Sequence, residues 1–111
     1  MKACLIYVTV AEEAEAERIG RTLVAERLAA AANILPGVRS FYWWEGEVRH
    51  GAEALLILKT RADLADSAVE RIKALHSYRC PGVAILPIDG GSRAYLDWIA
   101  AETRPETPAR G

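Results

Sequence analysis

Asn33-Ile-Leu-Pro-Gly-Val-Arg-Ser-Phe-Tyr-Trp-Trp-Glu-Gly-Glu-Val48 is the stretch from which the rest of the chain is read. Four of the eight Phe, Tyr and Trp residues stand here in a row, Phe41-Tyr42-Trp43-Trp44. Pro36-Gly37 precedes them and the acidic turn Glu45-Gly46-Glu47 follows. Side chains alternate across a strand, so Tyr42 and Trp44 share one side and Phe41 and Trp43 the other. All four therefore cannot line one ligand shelf. They read first as adhesive between subunits and second as the wall of a cleft. Pro36 removes a ladder donor, which places the strand, from Ala32 to Glu45, at a sheet edge.

Outward from this strand, the elements follow from periodicity. After a polar turn from Glu45 to Gly51, Ala54 to Thr60 (ALLILKT) is apolar on both faces and pairs back as a hairpin. Ala3 to Thr9 is also apolar on both faces, the mark of a central strand. Thr9-Val10-Ala11-Glu12 has the form of a capping box. A helix is expected from Glu12 to about Ala30, with Ala16, Ile19, Gly20, Leu23, Val24 and Leu28 inward and Glu15, Arg18, Arg21, Thr22 and Glu26 outward. Asp63 is the expected N-cap of a second helix that ends near His76-Ser77-Tyr78. Val83 to Ile88 is a fourth strand, bearing Pro87. Gly90-Gly91 reads as a turn requiring positive φ, and as a weak anion site at the start of a helix capped by Ser92.

The resulting order, βαββαβ with an added C-terminal helix, is the ferredoxin-like α+β sandwich. That topology puts strands one and three in the centre, where the proline-free sequences fall, and the two proline-bearing strands at the edges. Residues 1–103 form one domain and 104–111 a loose tail. The helices cover one sheet face, yet strands one and three are apolar on both. Each large apolar side chain is worth roughly 1.5–3 kcal/mol when buried, so a homo-oligomer with sheet faces packed together is expected.

Composition restricts the function classes. Apolar residues make up 51% and charged residues 26%, ordinary for a soluble domain. A net charge of −1 gives no case for nucleic acid or an anionic membrane as a partner. No apolar run approaches the ~18 residues needed to span a bilayer. The two cysteines, Cys4 and Cys80, read as free thiols in a reducing cytoplasm.

No nucleotide-binding loop or zinc-protease motif is present, and no catalytic constellation is assigned. His76 and Cys80 lie four apart and are the candidate metal ligands, a pair suited to copper or zinc, although two ligands do not fill a tetrahedral site. Cys4 reads as a small core hydrophobe. Lys59 on an apolar strand calls for a partner, with Glu45 the simplest choice. Trp44, Glu45, Lys59, Tyr78 and Tyr95 combine aromatic walls with polar groups and are the candidate cleft set.

With the strands placed, Ala29 to Gly37 (AAAANILPG), Tyr42 to Gly46 (YWWEG) and Leu58-Lys-Thr60 resemble the CutA, or divalent-cation tolerance, family. His76-Ser-Tyr78 with Pro81, Leu86-Pro-Ile88, Gly90-Gly91, Tyr95-Leu96 and Trp98-Ile99 extend the likeness from Ala3 to about Thr103. The resemblance implies a cytoplasmic, non-enzymatic homotrimer similar in architecture to the PII proteins, connected with tolerance of divalent metals, chiefly copper. It implies no required cofactor, with divalent copper as the candidate ligand. Members proposed to bind copper carry a cysteine and two adjacent histidines at positions that here are Val8, Leu75 and His76. A PII-like module that binds a small anionic metabolite between subunits is the alternative function.

Overall fold

In the computed structural model, which describes residues 2–105, the elements are β1 (Ala3–Val10), α1 (Glu13–Ala25), β2 (Ala31–Trp44), β3 (Glu47–Arg61), α2 (Ala65–Leu75), β4 (Val83–Pro87) and α3 (Arg93–Glu102). The strands form one antiparallel sheet in the order β2-β3-β1-β4. The proline-free strands are central and the two proline-bearing strands are the edges, as the sequence predicts.

Alternation builds the core. Cys4, Ile6, Val8 and Val10 of β1 and Ala54, Leu56 and Leu58 of β3 share one face. Against them pack Ala16, Ile19 and Leu23 of α1 and Ala68 and Ile72 of α2, at the i, i+3, i+4 spacing of an amphipathic helix. Register puts Leu5 and Tyr7 of β1, Leu55 and Ile57 of β3, Leu35 of β2 and Leu86 of β4 on the opposite face. Helix α3 touches β3 and β1 and buries Ile99 outside the main core, but Tyr7, Leu35 and Leu86 stay 41–45% exposed.

Several boundaries differ from expectation, each for a local reason. Helix α1 ends at Ala25, because Arg27 adopts a left-handed φ of 59°. The Arg27 N–H donates to the Val24 carbonyl and the Leu28 N–H to that of Leu23, closing a Schellman motif. Leu28 is buried as the residue after this stop, not as part of the helix. The expected Thr9–Glu12 capping box does not form: Thr9 lies within β1 and Glu12 caps without a side-chain bond. Asp63 does not cap α2. It sits in a 3-10 turn, Ala62–Leu64, and pairs with Arg61. Ser92 does cap α3, its hydroxyl accepting the Tyr95 N–H. Gly90 and Gly91 do not adopt positive φ.

The largest difference concerns the hairpin. A two-residue turn, Glu45-Gly46, with φ of 52° and 81°, joins β2 to β3, so the expected loop to Gly51 is strand instead. Two consecutive positive φ values are the type I′ geometry, whose twist matches that of the strands. Pairing from Val38↔Glu53 to Trp44↔Glu47 lies beyond the reach of β1, which meets β3 only from Ala54 onward. The segment is thus a two-stranded arm, bent at its root by a bulge between Leu35 and Val38, where Gly37 takes φ 75°. The radius of gyration, 14.8 Å, exceeds the ~13 Å expected of a compact chain this long.

Arg104 is tied down, its N–H bonding the Arg27 carbonyl and its own carbonyl accepting from Arg61. The remaining tail positions, 106–111, lie outside the described residues. No helix among the described residues is long and apolar enough to cross a membrane.

Candidate functional site

The chemistry-bearing side chains gather where the C-terminal end of α2 meets the end of β1 and the root of the arm. His76 ends α2, its side chain wholly buried. The Tyr78 N–H donates to its Nδ1 at 3.0 Å, so the ring proton resides on Nε2 and is donated to the Thr9 carbonyl at 2.7 Å. Both nitrogens are thereby occupied. Nδ1 also lies 3.6 Å from Glu15 Oε2.

Glu15, expected on the outer half of α1, is instead buried at 4% exposure. Its carboxylate accepts the Ser77 N–H at 2.7 Å and the Ser77 hydroxyl at 2.9 Å. Burial alone pushes its pKa up, and the two Ser77 hydrogen bonds, together with neighbouring His76 and the Ala11 N–H, outweigh that, leaving it below its ordinary value. Glu15, Ser77, His76 and Thr9 thus pin together α1, the end of α2 and β1.

From this clamp Tyr78 reaches outward. Its ring lies 4.8 Å from that of His76, and its hydroxyl donates to Glu53 Oε2 at 2.7 Å. Burial, then the hydrogen bond and charge of Glu53, push the phenol well above its ordinary value, so it remains a neutral donor. Beyond Tyr78 opens a cavity of about 550 Å³. Ser40, Tyr42 and Trp44 of β2 and Arg49 and Glu53 of β3 form its strand wall, while Arg79, Cys80 and Gly82 of the α2–β4 loop face them. Arg49 pairs loosely with Glu45 through Nη2 at 3.4 Å, while its Nε is buried without an acceptor.

Of the expected cleft set, only Trp44 and Tyr78 line this cavity, with Glu45 reaching it through Arg49. Lys59 sits on the open sheet face bonded to Asn33, not to Glu45. Tyr95 is on α3, stacked on Trp98 at 5.8 Å. Tyr42 and Trp44 turn toward the cavity, as alternation requires. Trp43 stands out from the arm at 75% exposure and Phe41 at 73%, although Phe41 also touches the cavity rim.

Cys4 is a buried free thiol whose pKa burial raises, and Cys80 an exposed free one. No group of three His, Cys, Asp or Glu side chains able to hold a metal occurs among the described residues. The His76–Cys80 pair does not supply a preformed centre, since His76 offers no free lone pair.

Sequence reasoning missed Arg49, Glu53, Glu15 and Arg79. The first two carried a usable signal. Extending the β3 alternation back from Leu55 puts Glu53, Gly51 and Arg49 on one face. Glu15 carried none, because a helical carboxylate next to other acids reads as solvated.

The profile of the CutA1 divalent ion tolerance protein matches residues 4–102. The chain is 47% identical over 100 residues to the chloroplastic protein CutA 1 of Oryza sativa subsp. japonica, an overlap of 90% of this chain and 56% of that protein. It is 46% identical over 99 residues to the divalent-cation tolerance protein CutA of Thermus thermophilus, covering 89% and 96%. It therefore spans little more than half the length of the rice relative but nearly all of the bacterial one. The crystal structure of CutA1 from Oryza sativa superposes with a TM-score of 0.90 at 45% identity, covering 94% of this chain and 95% of that one. The divalent cation tolerance protein from Thermus thermophilus gives 0.89 at 44% identity, covering 92% and 99%.

Proposed function

The chain belongs to the CutA1 divalent ion tolerance family, and from that premise we propose that it is a non-enzymatic, cytoplasmic homotrimer of PII-like build that serves divalent-metal tolerance, copper above all. One observation carries this reading: a half-exposed apolar sheet face runs into a projecting arm that bears the exposed Phe41 and Trp43. A lone chain would leave that surface to aggregate, whereas a closed ring of copies buries it. The arm supplies part of that contact, with Trp43 and Phe41 turned to a neighbour and Tyr42 and Trp44 to the chain's own cavity. Two free thiols, one of them exposed, accord with a reducing compartment.

On this reading metal tolerance needs no preformed centre, and none occurs among the described residues. His76 has both nitrogens committed, and Cys80 is the accessible soft ligand, so copper contact is single-ligand and weak. The test is growth of a strain lacking its own homologue on graded Cu²⁺, complemented by this chain or by a Phe41→Ser/Trp43→Ser variant. Tolerance restored by the parent and lost with assembly supports the reading; equal rescue by an unassembled variant overturns it.

A second reading is favoured by the cavity beside Tyr78. It makes the protein a PII-like regulatory module that takes a small anionic metabolite where subunits meet. Arg49 with its unpaired Nε, and Arg79 across the opening, are the groups that would attract the anion.

A further inference from the structure

The second reading leaves open what kind of anion the cavity takes, and its walls restrict the answer. At about 550 Å³ it falls within the ~300–1,000 Å³ range of small-molecule sites. Tyr42 and Trp44 supply flat aromatic surface from one side of β2. Arg49 Nε is a buried charged donor without an acceptor among the described residues, while the Arg49 side chain as a whole is 41% exposed and lines the cavity. A buried donor left unpaired is costly, and a guanidinium edge is shaped for carboxylate or phosphate oxygens.

The opposite polar group has the reverse character. Glu53 is anchored through Oε2 by the Tyr78 hydroxyl, and its Oε1 remains able to accept one N–H or O–H bond. The Tyr78 backbone is held by His76 Nδ1 and its ring rests 4.8 Å from the imidazole, which the Thr9 contact fixes in turn. A donor-seeking carboxylate and an acceptor-seeking guanidinium thus share one aromatic-walled cavity. The complementary molecule is flat, with an acid at one end and a hydrogen-bond donor at the other.

We propose that this cavity binds a small planar aromatic acid carrying a donor group, its acid on Arg49 and its donor on Glu53, with the ring against Trp44 and Tyr42. This rests on the reading of the protein as an anion-binding regulatory module. The acid is a carboxylate or a phosphate, which share the guanidinium chemistry.

Calorimetric titration of the intact protein with 4-aminobenzoate, 4-aminophenyl phosphate, benzoate, neutral 4-aminobenzamide and inorganic phosphate tests it. The expected result is saturable binding of 4-aminobenzoate or 4-aminophenyl phosphate, the tighter of the two identifying the acid. Replacing the acid by the amide, or Arg49 by Gln, should each weaken binding roughly tenfold or more, the worth of one charged hydrogen bond. Lys73→Gln, at an exposed position of α2 that does not line the cavity, should change nothing. Glu53→Gln should weaken 4-aminobenzoate and leave benzoate alone, a selective effect that general loss of structure does not produce. Binding of neither aromatic acid, or an unchanged affinity in Arg49→Gln, overturns the proposal. Arg49-dependent binding of inorganic phosphate without either aromatic acid overturns the planar class alone and leaves the anion-binding module standing.

Discussion

His76 shows how one residue type supports two chemistries and how geometry selects between them. A histidine four residues from a cysteine suggests a soft-metal pair, but here the imidazole is sealed between a carbonyl and an amide. His76→Ala strips a partner from the Thr9 carbonyl and the Tyr78 N–H at once. We expect it to cost roughly 2–6 kcal/mol of stability, at about 1–3 for each buried group left unpaired, measured by chemical denaturation. The Cu²⁺ isotherm should keep its shape in His76→Ala and lose its weak binding in Cys80→Ala. A stoichiometric copper site that vanishes with His76 would contradict this assignment.

Glu15, beside it, makes a pH prediction. Its folded pKa lies below the unfolded value, so its stabilisation is fully present above the ordinary carboxylate pKa of about 4.3. That stabilisation is lost as pH falls below this value and through the lowered folded pKa. Stability of the parent should therefore fall across this acidic window more steeply than that of Glu15→Gln. Parallel curves would show that the carboxylate is not the titrating clamp.

At the level of elements, the hairpin arm is the feature that sets this chain apart from a plain four-stranded sandwich. Its tip depends on Gly46 at φ 81°, where an L side chain is strained by roughly 1 kcal/mol. Gly46→Ala should lower stability by about that amount, and Glu45→Asn, which suits the left-handed first position, should raise it slightly. Thermal melting of the two variants checks both signs. The element order and the central and edge strands were legible because proline and two-faced apolar runs report directly on position in a sheet. The arm was not, because Glu47 to Glu53 is polar and glycine-containing, and a strand whose faces both meet water lacks the apolar alternation that reveals strands. The end of α1 was hidden for a related reason: the left-handed stop is Arg27, where glycine is the usual signal. Half of the candidate site was visible for its aromatic residues, Trp44 and Tyr78. Its charged half lay in the unrecognised part of β3.

For the whole molecule, one side of the sheet is closed by α1 and α2, while the other offers Tyr7, Leu35 and Leu86 with an aromatic arm beside them. Burying such groups at ~25 cal/mol per Å² is the driving force available for assembly, and a closed symmetric ring uses it without leaving an open end. Phe41→Ser/Trp43→Ser should shift the population toward smaller species, because these two side chains serve no contact in the chain's own core. Trp44→Ala should chiefly weaken occupancy of the cavity it lines. The proposed ring stands or falls on sedimentation velocity of the purified parent at micromolar concentration. One species of about 36 kDa, three copies of the 12.1 kDa chain, is expected. A stable single species of 12.1 kDa under the same conditions would rule the ring out.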